Sequence, residues 1–179
     1  MPMERNEVAT MSAGALKTLM DTYGEDVWNY AFFLSRSRSA ADDIAQETFI
    51  RAFKYMHAFR GEASVKTWLL RIARNRWYTY RSSSFMRLVT LQAAPFSTQA
   101  EKSAEDAYIG ESLSSEIWQL VLRLPRKYRE ILMLQAHYDM SMEELAHTLN
   151  ISLSAAKSRL RRARQKANEY WEKELNGNG

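Results

Sequence analysis

The stretch MSMEELAHTLNISLSAAKSRLRRARQK, residues 140–166, restricts the fold of this chain most, because it has the pattern of two helices joined by a sharp turn. Ser141, with Glu144 three residues later, predicts a capping box at the start of the first helix. Asn150 tolerates the left-handed backbone that a tight turn needs, and Ser152 can cap the second helix. The expected inner face of the first helix consists of Leu145, Ala146 and Leu149. This layout is a helix-turn-helix.

The second helix of this motif is strongly basic. Its cationic residues are Lys157, Arg159, Arg161, Arg162, Arg164 and Lys166, and residues 154–166 include no acidic residue. Small residues near its start would allow close approach to a major groove: Ser154, Ala155, Ala156 and Ser158. Lysine and arginine can then reach phosphates or the acceptors of guanine. A solvated helix end whose cations favour the macrodipole is the alternative, but cap, turn and basic face together favour DNA binding.

Composition predicts an all-α protein. The chain has 179 residues with a hydrophobic content of 46%, which suits one packed domain or two small ones. Only six glycines and three prolines interrupt the helical pattern, and no segment alternates like a strand. The net charge of +4 is modest, so the clustering of cations, and not their number, indicates a nucleic-acid partner.

Several classes of function are disfavoured. The absence of cysteine excludes disulfides, thiolate metal sites and cysteine nucleophiles. His57, His137 and His147 are scattered without the spacing of metal ligands, and no phosphate-binding loop or nucleophile motif occurs. We therefore expect no enzyme activity and no cofactor. The chain start lacks the apolar core of a secretion signal and no segment could span a bilayer, so a cytoplasmic protein is expected.

Three amphipathic segments predict a helical first domain at residues 1–81. Residues 15–35 would form one helix, or a pair interrupted at Gly24. Ser39 would cap a helix over 42–56, and Ser64 would cap a third helix that ends at about Arg81. The expected inner faces comprise Ile44, Ala45, Phe49, Ala52, Phe53 and Met56 on the second helix and Trp68, Leu69, Ile72 and Ala73 on the third.

The rest of the third helix interleaves cations with aromatic rings. These residues are Lys66, Arg71, Arg74, Arg76 and Arg81, with Trp77, Tyr78 and Tyr80. Such a face suits single-stranded nucleic acid, because bases stack on rings while cations follow the phosphates. Rings that complete the core, with solvated cations around them, fit this helix equally well.

Residues 82–111 lose helical periodicity and contain a serine run, Pro95 and an acidic end. Loops of this length are uncommon inside one compact domain, so we expect a flexible linker between two small helical domains. The second domain would cover residues 112–179. Pro125 suits a helix start there, and Ile131, Leu132 and Leu134 would supply core beneath the helix-turn-helix.

Five motifs follow one another along the chain: DDIAQETFIRAF, FRGEASVKTWLLRIARN, LPRKYREILML, EELAHTLNIS and AAKSRLRRAR. In this order they resemble the motifs of a bacterial RNA polymerase sigma factor of the extracytoplasmic-function group. DDIAQETFIRAF resembles the family's segment that docks on the clamp helices of the core polymerase, and FRGEASVKTWLLRIARN at 59–75 resembles its promoter-melting and −10 segment. LPRKYREILML, EELAHTLNIS and AAKSRLRRAR resemble its −35-binding domain. The resemblance covers nearly the whole chain.

The resemblance implies a subunit that directs core RNA polymerase to promoter DNA and helps to melt the start site. It places Asp43, Gln46, Glu47 and Thr48 in the polymerase-docking surface. It places Phe59, Arg71 and Asn75 near the opened −10 strand, and Ser154, Lys157, Ser158, Arg159 and Arg162 at the −35 element. An anti-sigma factor is a further implied partner, one that would hold the protein at the inner face of the membrane; no small-molecule substrate is implied.

The sequence departs from the family pattern at three places, which comprise five residues. Ser154, Ala155 and Ala156 stand where Gly-Thr-Val is usual, which removes a hydroxyl and trims an apolar packing residue. Thr79 stands where an Asp often follows the Asn of the −10 segment by four, and Asn150 replaces a turn glycine. Two other functions remain open on the residues alone: a stand-alone transcriptional regulator that binds operator DNA, and an interaction adaptor without a DNA function.

Overall fold

The structure, a computed structural model, describes residues 5–90 and 116–177, with side chains at 13–83 and 116–176. Within these ranges it has seven α-helices, one 3-10 turn and no strand, and the helices of each range form a compact unit. The expectation of an all-α protein with two helical units is confirmed. The boundaries 1–81, 82–111 and 112–179 stay predictions.

The first unit contains three helices, each of which packs against the other two. They are α1 (Arg5–Ser35), α2 (Arg38–Tyr55) and α3 (Val65–Thr90), with a 3-10 turn at Met56–Ala58 between the last two. The largest side chains of its buried core are Tyr30, Phe33, Leu34, Ile44, Leu69 and Leu70. Helix α1 runs through Gly24 without a break, because its packing against both neighbours offsets the roughly 1 kcal/mol that an interior glycine costs.

Helix α2 begins earlier than the sequence pattern predicts. Arg36 adopts a left-handed conformation with φ 55° directly after α1, which leaves Ser37 extended at φ −139°. The Ser37 hydroxyl then accepts a hydrogen bond from the Ala40 backbone N–H at 3.3 Å. The predicted cap at Ser39 is wrong. Because the chain reverses at Arg36, the helix begins at Arg38 and its cap is Ser37, two residues before the predicted one.

The inner faces of α2 and α3 differ from the prediction at their edges. Phe53 is 38% exposed although we expected it in the core; it lies four residues beyond the buried Phe49, and four residues carry a side chain about 40° further round a helix. Leu70, which the pattern did not single out, is fully buried, whereas Trp68 and Ile72 are half-buried.

Helix α3 continues to Thr90, nine residues past its predicted end at Arg81. The serine run at 82–84 therefore lies within this helix. The Ser82 hydroxyl donates to the Tyr78 carbonyl at 3.0 Å, and this back-bonding satisfies a serine inside a helix. The rest of the predicted linker from residue 91 onward, with Pro95, lies outside the described residues.

The second unit contains α4 (Glu116–Arg123), α5 (Arg126–Ala136), α6 (Met142–Leu149) and α7 (Leu153–Gly177). Pro125 precedes the first residue of α5, as predicted. Its core includes the three residues expected beneath the helix-turn-helix, all buried: Ile131, Leu132 and Leu134. Helix α7 packs against α4, α5 and α6, so its inner side is held by the rest of the unit.

No helix in the described part of the chain is long and apolar enough to cross a bilayer.

Candidate nucleic-acid and protein interfaces

The turn between α6 and α7 has the geometry that the sequence predicts. The Ser141 hydroxyl accepts from the Glu144 backbone N–H at 3.1 Å, and the Glu144 carboxylate accepts from the Ser141 N–H at 3.0 Å, which completes the capping box. Asn150 is left-handed at φ 54°, ψ 50°. The Ser152 hydroxyl accepts from the Ala155 N–H at 3.1 Å and caps α7. The orientation of α7 is thereby fixed by local hydrogen bonds on both sides of the turn.

One side of α7 is buried. Ala156, Leu160 and Ala163 have no more than 6% exposure and face the core formed with α5 and α6. The sequence suggested that Ala156 lets the helix approach a groove. It is instead a packing residue, because it is buried. Of the other small residues at the start of α7, Ser154 and Ala155 are exposed and Ser158 is half-buried.

The outward side of α7 carries the cations. Lys157, Arg161 and Arg162 are exposed, whereas Arg159 is half-buried. Arg161 was absent from the predicted −35 contacts, yet it lies three residues after Ser158 and seven after Ser154, which places all three on one helical face. The spacing of these residues in the sequence could therefore have identified Arg161 as a candidate contact. Three exposed cations on a face opposite the core can follow DNA phosphates.

The last cations of the basic run are engaged within the unit. The Arg164 guanidinium donates to the Gln135 side-chain oxygen at 3.2 Å, and the Lys166 ammonium donates to the Glu169 carboxylate at 2.8 Å. This hydrogen bond, with the attraction between the two charges, raises the pKa of Lys166 and lowers the pKa of Glu169. The positive surface of α7 thus ends near residue 164, where intramolecular pairs begin.

Helix α2 presents a polar surface outside the core of the first unit. Asp43, Gln46 and Glu47, which the resemblance places in the docking surface, are exposed. Thr48 does not lie on this surface, because its side chain is fully buried and donates to the Ile44 carbonyl at 2.6 Å. Thr48 belongs to the support beneath the surface.

The Glu47 carboxylate lies between two guanidinium groups. One of its oxygens is 3.7 Å from Nη1 of Arg76 on α3 and 3.9 Å from Nε of Arg51 on its own helix. Beside it, a groove of about 300 Å³ separates α2 from α3. The groove is lined by Asp43, Ile44, Glu47, Arg76, Thr79, Tyr80 and Ser83. Thr79, the substitution for the usual Asp, therefore faces the same groove as the predicted docking carboxylates.

A smaller pocket of about 140 Å³ lies where the loop after α2 meets the start of α3. Its lining comprises Ala58, Phe59, Arg60, Glu62, Ala63, Trp68 and Arg71. The Phe59 and Trp68 rings are 5.1 Å apart with a tilt of 42°. Ser64 caps α3 as predicted, because its hydroxyl accepts from the Thr67 N–H at 3.0 Å, and this fixes the loop at the pocket edge.

The structure brings together two of the three residues predicted for the −10 strand. Phe59 and Arg71 line the pocket, whereas Asn75 lies one turn further along α3, is exposed and is not part of the lining. The pattern did not single out Arg60 and Glu62 as site residues, although both lie inside the segment that carried the resemblance. A pocket with rings, two guanidinium groups and a carboxylate can stack and hydrogen-bond an unpaired base.

Most cations along α3 already have intramolecular contacts. Lys66 lies 3.0 Å from the Asp26 carboxylate, and Arg76 pairs with Glu47. The Arg74 guanidinium lies 4.7 Å from the centroid of the Tyr78 ring and donates to its hydroxyl at 3.2 Å. The cations of this helix therefore help to hold the first unit together, and the pocket is the better candidate for contact with bases.

Fold and sites together define a DNA-binding protein with a helix-turn-helix unit and a separate helical unit that has a pocket of about 140 Å³. Two family models match the chain: Sigma-70 region 2 at residues 19–84 and Sigma-70 region 4 at residues 114–166. One of these segments lies in each of the two compact units.

Known proteins match over most of the chain. RNA polymerase sigma factor YlaC of Bacillus subtilis is 30% identical over 152 residues, covering 84% of this chain and 88% of its own. ECF RNA polymerase sigma factor SigM of the same organism is 30% identical over 158 residues, covering 86% and 93%. The sigma factor RpoE of Bartonella quintana has the same fold, with a TM-score of 0.67 at 20% identity over 87% of this chain and 96% of that one.

The chain belongs to the sigma-70 family, in its extracytoplasmic-function group. It is a sigma factor that directs RNA polymerase to specific promoters.

Proposed function

We propose that the two units divide promoter recognition, and that α7 reads the −35 element. The observation that carries this proposal is the outward face of α7, where Lys157, Arg161 and Arg162 are exposed on a helix oriented by two caps. Ser154 and Ser158 are polar residues on the same face of the helix as these cations. Cations would bind phosphates and guanine acceptors, while the serines would accept or donate at either base edge.

The pocket of the first unit would take an unstacked base of the opened −10 strand. Phe59 supplies a ring for stacking and Arg71 supplies hydrogen-bond donors beside it. Asn75, exposed one turn further along α3, would contact the strand next to the captured base. Such contacts become available only after the duplex opens, so this site would favour melted promoter DNA.

Asp43, Gln46 and Glu47 on α2 would bind core RNA polymerase, with Thr48 as buried support. The carboxylates of Asp43 and Glu47 make this surface a poor match for DNA, because they repel phosphates. It suits a protein partner with basic side chains.

The protein would have no catalytic activity of its own and would work in the cytoplasm, where its polymerase is found. The related sigma factor RpoE of Bartonella quintana was solved in complex with the anti-sigma factor NepR. We propose that an anti-sigma factor likewise restrains this protein.

Promoter-directed transcription tests the proposal. Core RNA polymerase is incubated with and without the purified protein on a promoter found by sequencing RNA starts after its controlled expression. We expect specific initiation only with the protein, and co-purification of the protein with the core enzyme. DNA binding without added initiation or co-purification would instead indicate a stand-alone regulator.

A further inference from the structure

An apolar side chain lies in the middle of the polar surface of α2. Ile50 is 52% exposed although it is a large hydrophobic residue, and Phe53, one turn further on, is 38% exposed. Ile50 is two residues from each of the buried residues Thr48 and Ala52. Two residues correspond to about 200° around a helix, so Ile50 points directly away from the core.

The neighbours of Ile50 on this face are the residues assigned above to core polymerase. Gln46 and Glu47 precede it by four and three positions and Asp43 by seven, so all share its side of the helix. Lys54 follows by four positions and is exposed as well. Ile50 is thus surrounded by polar and charged side chains, with Phe53 extending the apolar area at one edge.

An apolar centre within a polar rim is the arrangement of protein–protein interfaces, where a few central side chains carry most of the binding energy. A partner that contacts Asp43, Gln46 and Glu47 must also cover Ile50, because these residues lie within two turns of one helix. We propose that Ile50 is the apolar anchor of the core-polymerase interface, with Phe53 beside it, and that the polymerase surface opposite it is apolar at its centre and basic at its edge. This inference rests on the proposed role of α2.

Full-length variants test it by titration against core RNA polymerase. Ile50→Ala removes most of the side chain from an exposed helical position, where alanine favours the helix, so the thermal unfolding temperature should not fall. We expect it to weaken core binding about tenfold, as for a central interface residue. Ile50→Leu should bind within about threefold of the parent protein, because it conserves volume. Met20→Ala on α1, also an exposed large apolar residue at 48%, is the matched control and should bind like the parent.

Salt separates an apolar anchor from the charges around it. Between low and high salt the loss caused by Glu47→Lys should shrink, because exposed charges are screened, whereas the loss caused by Ile50→Ala should persist. A loss from Ile50→Ala that disappears in high salt would contradict an apolar contact.

The outcomes distinguish this inference from the function on which it rests. If Ile50→Ala binds like the parent while Glu47→Lys binds weakly, the anchor is wrong and the docking surface stands. If both bind like the parent, the docking surface is wrong and the anchor falls with it. If Ile50→Ala changes only the self-association of the protein in sedimentation, the apolar area joins two copies of the chain, and the inference is again overturned.

Discussion

The individual cations of α7 differ in what they can do, although they look equivalent in the sequence. Arg162 is exposed on the outward side, whereas Arg164 donates to Gln135 and Lys166 donates to Glu169. Charge count alone would treat all three as DNA contacts. Their different neighbours in the folded unit separate binding candidates from residues that stabilise the helix end.

Replacement of Arg162 by alanine should weaken binding of −35 DNA. The negative slope of log affinity against log salt should become shallower by about 1, as expected for one lost phosphate contact. Core-polymerase binding should not change. Lys173→Ala removes an exposed cation of the same helix beyond the basic run and serves as the control. Filter binding or fluorescence anisotropy over a salt series measures both variants. Equal salt slopes for Arg162→Ala and the parent would exclude this contact.

Replacement of Phe59 by alanine should weaken the binding of holoenzyme to single-stranded −10 DNA by about 1–3 kcal/mol, the usual value of one base–aromatic stack. Binding of duplex −35 DNA should stay the same. Tyr55→Ala, which removes an exposed ring that is not part of the pocket lining, is the matched control. If the two variants bind the single strand equally well, Phe59 is a packing partner of Trp68 and not a base contact.

At the scale of elements, local hydrogen bonds were the features best predicted from the sequence. The capping box at Ser141 and the caps at Ser152 and Ser64 all form as expected. A cap connects residues three apart, so the sequence contains both partners. The predicted cap was wrong where two serines lie close together in the sequence. Ser37, and not Ser39, caps α2 because of the reversal at Arg36, which no local pattern specifies.

Loss of the capping box should destabilise the second unit. Ser141→Ala removes the acceptor for the Glu144 N–H, and we expect the free energy of unfolding of the second unit to fall by about 1 kcal/mol. Ser154→Ala, at an exposed position inside α7, should change it by less than about 0.5 kcal/mol. Urea unfolding followed by circular dichroism measures both. Equal stability of the two variants would show that the turn is held by packing alone.

At the scale of the whole molecule, the proposed function requires two sites that are far apart in the sequence. A reader of −35 DNA and a reader of the −10 strand reinforce each other only when both are engaged at once, because the second contact then benefits from a high effective concentration. Core polymerase would hold them at promoter spacing. Neither unit then needs high affinity by itself.

Insertion of about 5 base pairs between the −35 and −10 elements should strongly reduce initiation by the holoenzyme, because half a helical turn moves the −35 element to the opposite face of the DNA. The same insertion upstream of the −35 element is the control and should have no effect. Run-off transcription with full-length protein and core enzyme measures both templates. Equal output from the two templates would contradict simultaneous reading of both elements.

The sequence by itself determined the helical class, the helix-turn-helix, the two units and the family, because each follows from periodicity, caps and motifs within short stretches. The tertiary structure decided which side chains are accessible. It buried Thr48 and Ala156, exposed Ile50 and Phe53, and joined Phe59 to Trp68 and Arg71 in one pocket. Accessibility depends on which helix covers which face, and that depends on contacts between residues distant in the chain, which a local pattern does not contain.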